Sequence, residues 1–174
     1  MTQVRPQTHV KRVVLSALSP VPSARTYHAS CLVSKFMLVS AGEANNTDLN
    51  DLWAMDLERK FWYKLDCISI GHDQKFVSKR FHTISSLSKN RVVSFGGCHS
   101  EYVHLNDVNV FDLNEFVLSD GQDCRVSCKK LDMRAMGPIP SSRWGHAATV
   151  SNDMLFILGG RNNEDINDLY CFNL

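Results

Sequence analysis

Histidine is the side chain best suited to proton chemistry near neutral pH, and three of the seven, His28, His82 and His146, stand in one local frame, basic-x-x-His. A residue that recurs at one repeat position points to a structural job, because an active site uses its base once. His72, His99 and His104 are used singly, in stretches that read as loops. His99, Glu101 and His104 put three potential ligands in one variable stretch without a fourth, which falls short of a metal site. Cys31, Cys67, Cys98, Cys124, Cys128 and Cys171 contain no CxxC pair and read as structural thiols, not as a disulfide framework or zinc site. No GK[ST] follows a glycine pair, so no phosphate loop is expected. A Ser-His-Asp or Cys-His arrangement is defined by geometry, and spacing alone places none. The expectation is a chain without catalytic residues, cofactor or metal.

The elements that would carry these residues come in three copies. The segments are "RTYHASCLVSKFMLVSAGEANNTDLNDLWAMDLERKFWYKL" from residue 25, "KRFHTISSLSKNRVVSFGGCHSEYVHLNDVNVFDL" from 79 and "RWGHAATVSNDMLFILGGRNNEDINDLYCFNL" from 143. Each runs basic-x-x-His, a short apolar stretch, a polar turn, an apolar run ending in glycine, a variable polar loop, Asn-Asp, and an alternating stretch ending in Asp-Leu or Asn-Leu. Successive starts lie 54 and 64 residues apart, a period of propeller blades and not of helical solenoids. "VVSFGG" and "MLFILGG" have the length of strands buried on both faces, while "DVNVFDL" and "DLYCFNL" alternate like half-buried strands. No helical stripe of comparable strength appears. The predicted class is all-β, with four antiparallel strands to a unit.

These repeats resemble Kelch repeats. The resemblance rests on Gly96-Gly97 and Gly159-Gly160, the spaced aromatics, and the strand-ending Asp56-Leu57 and Asp112-Leu113, over nearly the whole chain from about residue 11. The first copy departs from it with Ala41-Gly42, and the second has Lys79 where the others have Arg25 and Arg143. Glycine at the end of an inner strand permits positive φ and close approach of the backbone. The steps Asn50-Asp51, Asn106-Asp107 and Asn167-Asp168 suit turns whose side chains bond nearby backbone N–H groups before a third strand begins. Trp53, Trp62 and Tyr63 are expected to fill the space between blades.

On this reading residues 1–10 are a tail, 11–24 the outer strand of a preceding or closing blade, 25–67 blade 1, 68–78 a connection, 79–131 blade 2, 132–142 a connection, and 143–174 a third blade lacking its outer strand. About three blades make an incomplete ring, since closed propellers have about four to eight. Three explanations stand side by side: a piece of a longer Kelch protein, a head-to-tail homodimer in which residues 11–18 of each copy complete the other's third blade, or else a docked partner or a stable open arc.

The balance of 19 basic and 18 acidic residues gives no electrostatic reason to expect nucleic acid as partner. The N-terminal stretch lacks the apolar core of a signal peptide and no apolar run is long enough to span a bilayer, so a cytoplasmic chain without membrane contact is expected. The resemblance implies a rigid scaffold that presents variable rim loops to a protein or peptide partner as adaptor, scaffold or regulator. In Kelch adaptors, basic residues at the start of the inner strand and just after Gly-Gly line the binding rim. The matching positions are Arg25, Lys79, Arg143 and Arg161, suited to an acidic peptide, with Asn162, Glu101 and Tyr102 in the neighbouring loops. For Arg25 and Arg143 the competing reading is a bond to backbone carbonyls between blades. Some propellers of this type are enzymes acting on carbohydrates or other small molecules, or hold iron through Glu-x3-Asp-x3-His; that pattern is absent, which leaves the enzyme as the alternative.

Overall fold

A computed structural model describes residues 10–70, 76–100, 103–133 and 137–174. Blade 1 is built from β1 (Ala29–Val33), β2 (Phe36–Ala44), β3 (Thr47–Asp56) and β4 (Phe61–Ser69). Blade 2 comprises β5 (Thr83–Ser88), β6 (Arg91–His99), β7 (Val103–Asp112) and β8 (Arg125–Lys130), with a short helix α1 (Asn114–Leu118) between its last two strands. Blade 3 has β9 (Ala147–Ser151), β10 (Met154–Arg161) and β11 (Asp165–Asn173). Within each blade the strands pair antiparallel in sequence order, as in the blades of a partial β-propeller.

Two links join blade 1 to blade 2. At the outer edge, Asp66 to Ser69 of β4 pair in parallel with Arg125 to Cys128 of β8, so β4 serves both blades and fuses them into one eight-stranded sheet. At the inner edge, the amide of Lys79 donates to Leu49 (3.0 Å), that of Gly42 to Lys79 (2.8 Å) and that of Phe81 to Tyr27 (3.0 Å). The inner link is repeated between blades 2 and 3, where Arg143 donates to Leu105 (2.9 Å), Gly97 to Arg143 (2.9 Å) and Gly145 to Phe81 (3.0 Å).

The glycine pairs explain their own repetition. At each one the β2–β3, β6–β7 or β10–β11 register slips by a residue, a bulge that bends the strand toward the next blade. The second glycine has φ near 100°, and a Cβ on Gly97 would lie 2.7 Å from the Arg80 carbonyl oxygen. The first position requires only the left-handed region, which Ala41 adopts at φ 50° for about 1 kcal/mol.

The core lies between the blades. Leu38, Leu52, Ala54 and Leu65 of blade 1 pack on Ile84, Val92, Phe111 and Val126 of blade 2, with Phe116 of α1 4.6 Å from the Phe36 ring. Val93, Phe95 and Val108 of blade 2 meet Leu155, Ile157 and Phe172 of blade 3. Of the aromatics expected there, Tyr63 packs against the first cluster, whereas Trp53 is buried on the opposite face of β3 and Trp62 is half-buried.

Several expectations change. Residues 11–24 form no strand: Pro20 and Pro22 lack N–H donors, and the segment runs along the start of β4 with Ser16 bonded to the Lys60 and Arg59 carbonyls and Ser19 accepting from the Trp62 amide. Residues 68–69 belong to β4, not to a connection. The Asn-Asp steps lie inside the third strands because the hairpin turns earlier; in blade 1 it turns at Asn45-Asn46, both with positive φ.

Candidate functional site

The basic residue that opens each blade is turned inward. Arg25 donates from Nη1 and Nη2 to both carboxylate oxygens of Asp51 (2.6 and 2.9 Å) and to the Ala41 carbonyl (3.0 Å). Arg143, 0% exposed, grips both oxygens of Asp168 and bonds the Gly159 carbonyl at 3.0 Å. Lys79, equally buried, places Nζ 2.7 Å from Asp107, whose same oxygen accepts from Asn109 at 2.5 Å. A cation at one slot meets one carboxylate across the inner hairpin in all three blades. Arg25, Lys79 and Arg143 therefore do not present their charges on the rim as expected, and the Ala41 and Gly159 carbonyls that Arg25 and Arg143 bond lie within their own blades, at the bulge. Asp51, Asp107 and Asp168 likewise serve these cations first, not a local turn.

Electrostatics follow from that burial. Burial pulls the Lys79 ammonium below its ordinary value, and Asp107 opposes the shift. Burial pushes Asp51 up, but bonds from Arg25 and Trp53 outweigh it and hold the carboxyl below the ordinary range. The Arg143 guanidinium does the same for Asp168.

The recurring histidines pack across blade seams. His82 Nε2 lies 3.1 Å from Ser40 Oγ of blade 1, and His146 Nε2 lies 2.9 Å from Thr83 Oγ1 of blade 2 with its ring edge-on to Phe95. Burial drives His82 well below the usual imidazole range; burial, then Arg143 and Lys79, take His146 down to about 4. His28 is exposed on the outward face of blade 1. All six cysteines are free, and burial pushes Cys31 and Cys67 up to about 12, where neither is a nucleophile at neutral pH. Among the described residues no group of three or more His, Cys, Asp or Glu could hold a metal ion.

What the rim does present is an aromatic ladder. The rings of Tyr27 and Phe81 stack at 4.1 Å between centroids, and Phe81 meets Trp144 at 5.1 Å. Tyr27 and Phe81 have φ of 56° and 55°, in the slot that Gly145 fills in blade 3 at 65°. Holding bulky residues in a left-handed conformation costs about 1 kcal/mol each, so the ring positions are imposed by the surrounding inter-blade bonds. These residues are the two unspecified places of basic-x-x-His, and the available signal was that aromatics recur there.

A cleft opens on either side of Arg80-Phe81. The one between blades 2 and 3, about 410 Å³, is lined by Arg80, Phe81, His104, Trp144, Arg161 and Asn162 among others. Arg161 is 52% exposed there and, among the described residues, its side chain pairs with the exposed Asp165 at 3.2 Å. The side-chain oxygen of Asn162 accepts from the amides of Asn163 (2.6 Å) and Glu164 (3.1 Å), so it shapes the loop. The cleft between blades 1 and 2, about 800 Å³, includes Tyr27, Glu43, Asp48, Arg80 and His99. Glu101 and Tyr102 lie outside the described residues. No described helix is long and apolar enough to cross a membrane.

Comparison with known proteins agrees with this architecture. Residues 7–130 match the family described as the KLHDC2/KLHL20/DRC7 Kelch-repeats domain. The chain is 29% identical over 164 residues to Tip elongation aberrant protein 1 of Schizosaccharomyces pombe, covering 91% of the chain and 13% of that protein. It is 28% identical over 165 residues to human Kelch domain-containing protein 3, covering 88% of the chain and 39% of that protein. An F-box/kelch-repeat protein of Arabidopsis thaliana is 28% identical over 148 residues, with coverage of 82% and 28%. The chain thus spans well under half the length of these relatives. Kelch repeats in general form protein-interaction modules. With its repeated hairpins, glycine bulges and seam bonds, and a family match over residues 7–130, the chain belongs to the Kelch-repeat family.

Proposed function

We propose that the chain is a non-catalytic protein-interaction module that holds an extended segment of a partner protein, as an adaptor or scaffold does, along the rim carrying the Tyr27, Phe81 and Trp144 ladder. The observation that carries this reading is the cleft where exposed Arg161 stands beside Trp144 and Arg80. A planar guanidinium with one exposed acidic neighbour is free to fork onto a partner's carboxylate, and the indole supplies a flat apolar wall. Buried Arg25, Lys79 and Arg143 supply the stiffness behind that surface. Burial raises the Cys31, Cys67 and Cys128 thiols, which supports binding over thiol catalysis.

The test is affinity capture with quantitative mass spectrometry, wild type against Arg161→Ala and Trp144→Leu. Partners held by this cleft are expected to fall by about tenfold in both variants while circular dichroism stays native. Equal recovery by folded variants removes the assignment of this rim.

A further inference from the structure

Two features of the cleft between blades 1 and 2 stand unused. Asp48 keeps its side chain 8% exposed, and its Oδ2 accepts from the Ser100 amide at 2.6 Å, yet Oδ1 accepts no hydrogen bond. Arg80 Nε is 3.6 Å from that oxygen, but the guanidinium is turned to Glu43, and Nε itself has no hydrogen-bond partner. A buried carboxylate oxygen without a donor is costly, and the residue that carries it lines an open cleft. The second feature is Tyr27. Its ring is backed on one side by Phe81, it is 49% exposed, and its backbone is held in a strained conformation that keeps the ring on the rim.

The charged and titratable lining is Glu43, Asp48, Arg80 and His99. His99 Nδ1 is engaged with Ser78 at 2.9 Å and lies 3.7 Å from Asp48 Oδ2. Two carboxylates face one guanidinium beside an imidazole engaged by Ser78, an arrangement that favours a cation over an anion. A cation lying on an aromatic face gains electrostatic attraction, and a planar guanidinium stacks there while keeping its edge N–H groups free.

We propose that this cleft takes the arginine side chain of a partner segment, its guanidinium stacked on Tyr27 and donating to Asp48 Oδ1. The rim is then bipolar, reading a basic group between blades 1 and 2 and an acidic group at Arg161 between blades 2 and 3. This deepens the interaction-module reading, and the two fail separately, since a small probe tests the cleft without any protein partner.

The experiment titrates N-acetyl-arginine methylamide into the isotope-labelled chain and follows amide resonances of Asp48 and Ser100, with the neutral citrulline analogue alongside. Saturable shifts are expected, with the citrulline compound and Asp48→Asn each weaker by about tenfold, and Tyr27→Leu weaker by about threefold. Arg161→Ala leaves binding unchanged. Equal binding of arginine and citrulline compounds, or no saturable shift, overturns the proposal. Where Asp48→Asn does not fold, Tyr27→Leu decides: undiminished binding by that variant also overturns it.

Discussion

Lys79 is an ammonium buried with a single carboxylate, and such a pair is worth most when one half is removed. The Asp107→Ala change leaves the charge without compensation and is expected to cost about 3–5 kcal/mol, measured by urea denaturation. Arg161→Ala, which breaks the exposed contact to Asp165, is expected to cost under about 0.5 kcal/mol in the same assay. The contrast separates residues that build the blade from one that stands exposed in the cleft. Sequence showed Arg25, Lys79 and Arg143 as a repeated slot and Asp51, Asp107 and Asp168 as another, but not that the two slots meet. Their contact depends on hairpin register, and 26 residues separate Arg25 from Asp51. The residues of the proposed cleft were harder still: Asp48 and Tyr27 of blade 1 gain their facing wall only when inter-blade hydrogen bonds bring Arg80 and Phe81, at the start of blade 2, beside them.

Strands and their order were legible because three copies reinforce a weak pattern: the apolar runs of β6 and β10 end at the same glycine pair. Helix α1 left no trace, since a five-residue helix is too short to display a period and is held by Phe116 against Phe36. At the seams between elements, His82 and His146 sit neutral and buried with no partner for Nδ1. Their folded values lie below the ordinary imidazole value of about 6.5, so the unfolded chain takes up protons first as pH falls. Stability is therefore intact above about pH 6.5 and declines from there toward 4, where His146 protonates within the fold. For His146 alone the loss amounts to about 3 kcal/mol across that window. Denaturation midpoints at a series of pH values check this: the His146→Gln variant flattens the decline, and an unaltered slope there would assign it to carboxylates.

At the scale of the molecule, each blade covers the face of its neighbour, and the last described face is uncovered. Leu158 and Leu169 pair across β10 and β11 at the register positions of Phe95 and Val108 in blade 2. They are 53% and 64% exposed where their counterparts are 1% and 0%. An apolar face of this kind drives association. The Leu158→Ser, Leu169→Ser double variant is expected to scatter as a monomer at concentrations where the parent chain forms larger species, and the blade cores should stay native because neither residue belongs to them. Identical scattering by parent and variant would refute a role for this face.

The double allegiance of β4 has a mechanical meaning. Blades 1 and 2 are stitched at both ends of their seam, by amide bonds at the inner edge and by the parallel β4–β8 ladder at the outer one. Blade 3 is stitched to blade 2 by backbone bonds at the inner edge. Drawn apart by its termini, the chain should yield in two steps: blade 3 hinges away first, like a page turned on its spine, and the fused pair gives way together at higher load.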